Sequence, residues 1–558
     1  MGLCNTITNF YALDSTPLER FLHWEEKTPD ATFLRQPIDD VWKVYTYREA
    51  GREVRRLAGT LRKMLPERSH VAILSKNCAH WIISDLAIML SGNISVPLYP
   101  TLSAAGIHDI LVHSEARLIL LGKLDNFQSQ RPGIPSEMPR ISFPFYGITE
   151  GTQWHDLMEP AESPGSKPAP DQVATIMYSS GTTGTPKGVL LTHGAFGFVG
   201  RTVAKHLGIT TPERFFSYLP LSHIAERALM EMVALHSGSS ISFSESLEKF
   251  QGNIQHEKPT IFGGVPRIYT KFQEGILKKL PQEKLDWLLR IPLVNGLIRK
   301  TIRKKLGFAD TRVIVSGAAP SPVSQLEWFD QLGIEIAEIY GMTENTAFSH
   351  ANYSKIKRGT VGQPWPGCEV KLGEGGEILV RSEALMNGYY KDEETTRSVF
   401  TDDGFLRTGD SGEIDAEGFL TITGRVKDQF KTDKGKFIAP APIEMRILAN
   451  TDIEQVCVVG MGLPQPVALV ILSATGQNRD RATLIKNLEN TIRELNPSLE
   501  LYERIEKIVV MKEAWSIENG MLTPSLKLKR TELEKRYLPE FKAWYSHRDT
   551  VVWEEQVI

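Results

Sequence analysis

A glycine- and hydroxyl-rich loop, closed by a lysine and set between two apolar β-type runs, constrains this chain more than any other stretch. It reads Tyr-Ser-Ser-Gly-Thr-Thr-Gly-Thr-Pro-Lys-Gly-Val over 178–189, with the apolar runs at 174–178 and 189–192. Gly181, Gly184 and Gly188 permit positive φ, which aims successive backbone N–H groups into a concave nest. Ser179, Ser180, Thr182, Thr183 and Thr185 add hydroxyl donors, and Lys187 adds a point charge. Such a loop suits a triphosphate. It is not a Walker A loop, which requires Gly-Lys-Ser/Thr after four spacer residues; here Pro186 precedes the lysine and Gly188 follows it. A plain surface turn has no use for so many glycines and hydroxyls beside one lysine.

At 558 residues the chain exceeds one ordinary core, so two or more domains are expected. A net charge of −3 argues against a general nucleic-acid binder, which would be basic. Cys4, Cys78, Cys368 and Cys457 are scattered without CxxC spacing. Neither a zinc site nor a disulfide framework is indicated, and a reducing compartment fits. Cys78 and Cys457 lie in apolar runs and read as core residues. No run approaches the roughly 18 apolar residues of a membrane span, and no signal peptide is read at the N-terminus. These features predict a cytoplasmic protein. Met-Gly-Leu-Cys-Asn-Thr at 1–6 satisfies the loose N-myristoylation pattern, with Cys4 as a palmitoyl acceptor, but so short a pattern often arises by chance.

The first half alternates strand-like and helix-like segments. Residues 71–74 and 94–97 read as buried strands, and 78–90 has helical apolar spacing. Residues 313–316 and 334–339 read as strands followed by glycine-containing turns. This alternation predicts layered α/β sheets, partly parallel, with ligands beyond the strand carboxyl ends. Residues 376–380 and 419–423 suggest a smaller β subdomain. After Gly424 a compact α+β pattern begins, with strands at 455–460, 467–473 and 505–511 and a helix at 480–495. The expected division is a domain over 1–424 and a small α+β domain over 429–558, with the boundary at 425–428.

The 178–189 loop resembles the phosphate loop of the adenylate-forming superfamily, which includes acyl-CoA synthetases, nonribosomal peptide adenylation domains and beetle luciferases. Four further segments resemble that family's motifs in the family's order. They are Tyr-Gly-Met-Thr-Glu at 340–344, Leu-Arg-Thr-Gly-Asp at 406–410, Gly-Arg-Val-Lys-Asp at 424–428 and Asn-Gly-Met-Leu-Thr-Pro-Ser-Leu-Lys at 519–527.

The resemblance implies roles residue by residue. Ser179, Ser180, Gly181, Thr182, Thr183, Gly184 and Lys187 would cradle phosphates, and Thr183 with Glu344 would hold Mg²⁺, a hard cation suited to oxygen ligands. Gly317, Ala318 and Ala319 would let a purine approach the backbone, and Tyr340, followed by Gly341, Met342 and Thr343, would stack on it. Asp410 would accept from both ribose hydroxyls, reinforced by Arg425. Lys527 would bridge the substrate carboxylate and the α-phosphate as charge develops. Lys529, or a merely solvated basic turn, is the competing reading, because the usual family form has Ser/Thr-Gly-Lys. Lys427 matches the hinge position, with Asp428 as the structural alternative, and Lys431 is a candidate contact in a second, thioester-forming state.

Two further segments, 219–227 and 259–269, resemble long-chain fatty acid–CoA ligases, including the bubblegum-type branch, as does 434–440. They imply an acyl pocket at His223, Gly263, Gly264 and Val265, with the two glycines leaving room for an alkyl chain. His223 reads equally as a packed core histidine. The implied reaction joins a long-chain fatty acid to CoA at the expense of ATP, with Mg²⁺. Rivals are a fatty acyl-AMP ligase loading a carrier protein, a luciferase-like monooxygenase, and a non-catalytic nucleotide or lipid sensor. Retention of Lys187, Glu344, Asp410 and Lys527 disfavours the sensor. Residues 271–308 mix leucines with basic residues, including Arg299, Lys300, Arg303, Lys304 and Lys305. That composition suits peripheral contact with the inner face of a membrane or a helical excursion with a solvated basic face.

Overall fold

The computed structural model describes residues 15–157, 167–179, 187–517, 519–523 and 527–556. Two large sheets dominate the chain up to Arg425. The first has nine strands, in the order Gln363–Pro364, His350–Ala351, Ala337–Tyr340, Val313–Ser316, Ile261–Gly264, Arg214–Ser217, Ser240–Phe243, Thr32–Ile38 and Val41–Thr46. Its central strands pair in parallel. The second has eight: Gly388–Tyr389, Lys187–Thr192, Val173–Ser179, Ile94–Leu98, His70–Leu74, Leu118–Leu121, Arg140–Ser142 and Thr152–Gln153.

Side-chain alternation at period two sorts these strands into layers. Val71, Ile73, Leu118, Leu120, Phe215 and Ile261 point into one core between the sheets. Ala72, Leu74, Ile119 and Leu121 point to the outer face of the second sheet, and Phe216 and Phe262 to the outer face of the first. A helix caught between two sheets must be apolar all round. The helix Ala79–Leu90 is such a helix, with every residue buried. The helix Tyr47–Met64 instead presents one apolar stripe, Ala50, Val54, Leu57, Ala58 and Leu61, and starts at a Thr46–Glu49 capping box.

The segment after His223 is the second buried helix. It passes through a π-helical stretch, Arg227–Met232, and ends at Ser237. Arg227 is buried and donates to both oxygens of Asp85, at 2.6 and 2.7 Å, to Thr175 Oγ1 at 2.7 Å and to Ser95 Oγ at 2.9 Å. It thus ties its own helix to the helix Ala79–Leu90 and to two strands of the second sheet. Glu231, one turn on, is also buried, and burial first, then the neighbouring Asp85, hold its carboxyl far above the carboxylate range.

A four-stranded antiparallel sheet follows: Glu369–Leu372, Glu377–Arg381, Leu406–Ile414 and Leu420–Arg425. Beyond Asp428 come a two-stranded ladder, Phe430–Lys431 with Phe437–Ile438, and a four-stranded sheet, Ile453–Val459, Val467–Leu472, Lys507–Val510 and Val551–Trp553. The latter alternates Val456 and Val458 toward one core and Cys457 and Val459 toward another, so both faces are covered. Cys78 and Cys457 are core residues. Among the described residues no helix is long and apolar enough to cross a membrane.

Two sequence expectations need correction. The strand expected over 334–339 is Ala337–Tyr340: Ile334 and Ile336 are buried against the outer core, but parallel pairing with Val315 begins only at Ala337. Gly188 is an extended strand residue paired with Tyr178, not a positive-φ residue. Its missing Cβ would lie 2.8 Å from Ile176 Cγ2, so close packing is the reason for that glycine.

Removing one partner of a buried ion pair strands the other charge, at a cost of about 3–5 kcal/mol. Asp85→Ala should therefore lower unfolding stability by about that much. Urea denaturation followed by tryptophan fluorescence measures it, and an unchanged midpoint would show that the Arg227 tie contributes nothing.

Candidate active site

Four adjacent strands of the first sheet, Ala337–Tyr340, Val313–Ser316, Ile261–Gly264 and Arg214–Ser217, run parallel, so their carboxyl ends share one edge. The loops leaving them carry Gly341 to Glu344, Gly317 to Ala319, Val265 and His223. This edge is where open α/β sheets bind ligands. The close packing is specific: a Cβ on Gly341 would meet the Ala347 carbonyl carbon at 2.4 Å, and one on Gly317 would meet Ile339 Cγ1 at 2.7 Å. Ala318 takes a positive φ of 66° and is exposed at the rim with Ala319.

Asp410 and Arg425 face each other across the antiparallel pair Leu406–Ile414 and Leu420–Arg425. Arg425 Nε lies 3.2 Å from Asp410 Oδ1, and Tyr340 Oη donates to Asp410 Oδ2 at 2.7 Å. Both carboxylate oxygens are thereby oriented, with lone pairs left over for a ligand. Burial pulls the Arg425 pKa down, but the charges of Asp410 and Asp428 outweigh it and raise it overall. Burial, then the Asp410 charge, holds the Tyr340 phenol well above its ordinary pKa.

Glu344 sits in the 3₁₀ turn Thr343–Asn345 and is buried. Its carbonyl accepts from Met386 N at 2.8 Å, and Tyr389 Oη donates to its Oε1 at 2.9 Å. Lys187 opens the strand Lys187–Thr192 directly across from Ser179, and its ammonium lies 5.1 Å from the Tyr389 ring centroid. Tyr389 therefore stands between the lysine of the glycine-rich loop and Glu344. Sequence reasoning missed it, because its strand Gly388–Tyr389 is two residues long and carries no readable period. The remaining loop residues, Ser180, Gly181, Thr182, Thr183 and Gly184, lie outside the described residues.

Lys527 reaches this edge from the far end of the chain. Leu528, the next residue, bridges Leu522, and Lys527 N donates to Thr523 Oγ1 at 3.0 Å. Its side chain keeps accessible surface yet is walled in by protein, as in an open cleft. Reduced hydration first, then the charge of Arg425, lower its pKa below the usual lysine value, while Asp410 and Glu344 act upward. His223 is pushed down to about 3 by burial and then by Lys527, so its imidazole is neutral at physiological pH. Its Nδ1 accepts from Ala225 N at 3.2 Å, capping the buried helix.

Lys187, Glu344, Tyr340, Asp410, Arg425, His223 and Lys527 thus gather on one cleft. Lys529 precedes the helix Arg530–Tyr537 as its cap residue. Lys427 is exposed in the turn Val426–Asp428, and Lys431 is exposed with its ammonium 4.7 Å from the Phe437 centroid. Neither makes a described contact with the cleft. Asp428 lies 3.9 Å from Arg530 Nε.

The space expected beside the acyl-pocket glycines is partly filled. A Cβ on Gly264 would meet the Tyr269 ring at 2.9 Å, and that ring is fixed by its hydroxyl donating to Val315 O at 2.7 Å. A Cβ on Gly263 would clash with Met230 Cε, at 2.5 Å, the end of a side chain with three rotatable bonds, and would sit in ordinary contact with Val315 Cγ2 at 3.6 Å. Val265 caps the following helix, Pro266–Lys279.

Solved structures with this fold include the adenylation domain of a carboxylate reductase from Mycobacterium chelonae, with a TM-score of 0.80, 21% identity, and coverage of 97% of this chain and 93% of that one. The o-succinylbenzoate CoA synthetase of Bacillus subtilis, solved with an acyl-adenylate, gives 0.71 at 23% identity, covering 94% and 99%. The fold is that of the adenylate-forming enzymes. The AMP-binding enzyme profile matches residues 21–390 and that family's C-terminal domain profile matches 427–549; the chain belongs to the AMP-binding enzyme family. Its relatives include the long-chain-fatty-acid–CoA ligase FadD15 of Mycobacterium tuberculosis, 29% identical over 94% of this chain and 96% of the relative. Another is the peroxisomal long chain acyl-CoA synthetase 7 of Arabidopsis thaliana, 30% identical over 90% and 81%.

A hydrogen bond to a charged group contributes about 1.5–3 kcal/mol. Tyr340→Phe, which keeps the ring but frees one Asp410 oxygen, should weaken AMP binding roughly tenfold or more by calorimetry. Tyr389→Phe, which touches Glu344 and not Asp410, should leave AMP affinity near the parent value. Equal losses in the two variants would contradict separate duties for the two carboxylates.

Proposed function

We propose that this chain is an ATP-dependent ligase that activates a long-chain fatty acid as acyl-AMP and transfers the acyl group to CoA. The observation that carries this reading is the meeting of Lys527 with Asp410, Glu344 and His223 in one cleft at the strand ends. The naming of relatives that run nearly the length of the chain supports the long-chain acid and the CoA acceptor.

A carboxylate is a poor acyl donor, because its charge repels nucleophiles and oxide leaves badly. In the first step a carboxylate oxygen attacks the α-phosphorus, the bond from that phosphorus to the bridging oxygen breaks, and pyrophosphate departs. In the second the CoA sulfur attacks the acyl carbon, the acyl carbon–oxygen bond breaks, AMP leaves, and the thiol proton goes to water. Protein help is positioning and charge stabilisation. Asp410, held by Tyr340 and Arg425, fixes the ribose. Lys187 and the loop before it hold the phosphates. Lys527 meets negative charge where carboxylate and α-phosphate converge. His223, being neutral, lines the carboxylate approach without adding charge.

Mg²⁺ fits the residues present. Tyr389 occupies only one Glu344 oxygen, which leaves a hard donor for the cation. Among the described residues no group of three or more His, Cys, Asp or Glu side chains could hold a metal. Mg²⁺ bound there would take its remaining ligands from phosphate and water, as it commonly does, and would neutralise phosphate charge. The alkyl chain enters past Gly263 by displacing the Met230 thioether. Residues 425–428 act as a hinge between 1–424 and a mobile unit over 429–558, pivoting at Lys427 and bringing Lys431 to the cleft in the thioester-forming state. The enzyme works in the cytoplasm on acids drawn from a membrane.

Palmitate or oleate with ATP, Mg²⁺ and CoA should yield AMP, pyrophosphate and acyl-CoA, read by coupled pyrophosphate release and thioester chromatography. Acyl-AMP without acyl-CoA would instead indicate a carrier-protein acceptor, and activity on a short aromatic acid alone would exclude the long-chain substrate.

The two half-reactions should separate genetically. Lys527→Ala should cost adenylate formation on the order of 10²–10³-fold, the loss typical of one charge-stabilising contact, and spare thioester formation from supplied acyl-AMP. Lys427→Pro, which stiffens the hinge, should do the reverse. Matching losses of both steps in both variants would rule out hinge rotation.

A further inference from the structure

Residues 271–308 fold into most of Pro266–Lys279 and the whole of two further helices, Gln282–Arg290 and Val294–Leu306. Most of their apolar side chains serve the outer core of the first sheet. Leu285, Ile302 and Leu306 are buried there, with Ile276, Leu277, Leu280, Leu289 and Ile298 packed against them. Three large apolar residues do not follow. Trp287 is 60% exposed, Leu293 93% and Leu297 64%, all within one short stretch around the turn between the last two helices.

That turn is strained. Leu293 has φ 69° and ψ −42°, and Val294 N donates to Pro292 O at 2.9 Å, which closes a γ-turn of the rare positive-φ kind on a non-glycine residue. A γ-branched side chain in that region is unfavourable unless the surroundings dictate it, and here the result is to hold a leucine in solvent. Outward-facing apolar groups held by a strained turn call for a covering partner.

The flanking charge identifies that partner's chemistry. Residues 271–308 carry ten basic and three acidic side chains, in a chain whose net charge is −3. Two of the basic residues are committed to structure: Arg299 donates to Gln331 O at 2.9 Å, and Arg303 to Gly333 O and Thr311 O, each at 2.7 Å. Lys300, Lys304 and Lys305 are exposed and make no side-chain bond among the described residues. Leu297, Lys300 and Lys304 recur at helical spacing and so share a face with the apolar tip.

We propose that the Leu293 turn, with Trp287 and Leu297 beside it and Lys300, Lys304 and Lys305 behind it, docks on an anionic lipid bilayer, the apolar tip entering the headgroup region and the lysines meeting lipid phosphates. This rests on the fatty-acid reading only for its purpose: such acids partition into bilayers, and a surface-bound enzyme collects them there. The contact is reversible and salt-sensitive, since attraction by exposed lysines is screened while burial of the apolar tip is not.

The test uses the full chain and co-sedimentation with vesicles of phosphatidylcholine alone or mixed with phosphatidylglycerol, without substrate. Binding should require the anionic lipid and fade at high salt. Lys300→Gln with Lys304→Gln and Lys305→Gln should weaken it on the order of 100-fold at low salt. Leu293→Asn with Leu297→Gln should weaken it on the order of tenfold at any salt; asparagine tolerates positive φ, so the turn survives. Thermal melting and adenylation of a short soluble acid should match the parent in both variants. Parent-like vesicle binding by both variants, or no binding by the parent chain, overturns the proposal. A chain that binds vesicles but makes no acyl-CoA leaves the docking face standing and overturns the substrate reading; one that makes acyl-CoA from detergent-dispersed acid yet ignores vesicles does the opposite.

Discussion

The Arg227 guanidinium is the tie on which the rest of the structure depends. It is buried between two sheets and answers to both oxygens of Asp85, to Ser95 and to Thr175, which sit on three different elements. A lone buried charge would cost several kcal/mol, so the sheets can approach only in the register that supplies all of these acceptors. The same residue fixes the site. Arg227 N donates to His223 O at 3.2 Å, and the neighbouring Glu226 accepts from Ser217 Oγ at 2.7 Å and Tyr218 N at 3.0 Å. The loop that carries His223 is therefore held at both ends by bonds made in the protein interior, and its position at the strand edge follows from core packing rather than from the ligand.

The cleft gathers three cations, Lys187, Arg425 and Lys527, against two carboxylates, Asp410 and Glu344. The carboxylates are occupied first by neutral donors, Tyr340 and Tyr389, which orient them without cancelling their charge. Reduced hydration first, and then repulsion from Arg425, lowers the Lys527 pKa. A site with excess, imperfectly paired positive charge is matched to a polyanion, which supplies the missing negative charge on arrival. The two tyrosines explain why the carboxylates hold different posts: one phenol comes from the strand Ala337–Tyr340 of the first sheet, the other from the edge strand Gly388–Tyr389 of the second.

Much of this was legible in the residues. The strands over 71–74, 94–97 and 313–316 are short apolar runs between glycine and polar punctuation, and their ends fall within a residue of the observed ones. Residues 334–339 misled because Ile334 and Ile336 are apolar for packing, while ladder formation depends on a partner strand that periodicity does not register. The residues that share the cleft were legible as motifs, but the contacts that tie one motif to another were not. Tyr389 lies on a strand too short for any pattern, and Met230 fills the gap at Gly263 through a tertiary contact no local signal predicts. The leucines of 271–308 look alike in sequence; only the positive φ at Leu293 and the packing of the helices separate those that serve the core from those left in solvent.

The position of Lys527 carries a last consequence for the proposed cycle. The unit beyond Asp428 touches the rest of the chain through few described charge pairs, among them Arg267 with Glu454. It presents a lysine whose charged form is disfavoured by reduced hydration and by Arg425. With a triphosphate in the cleft that penalty is offset, because the α-phosphate and the acid carboxylate bring negative charge to the ammonium. Once pyrophosphate has left and the acid is esterified, most of that charge is gone, and the unfavourable terms return. In the proposed cycle the chemistry would thus remove the attraction that holds the lysine in place, and withdrawal of the unit would become downhill at the step where the acyl carbon must open to a thiol. That cycle would need no separate signal, because one side chain would sense the reaction through the negative charge the reaction removes.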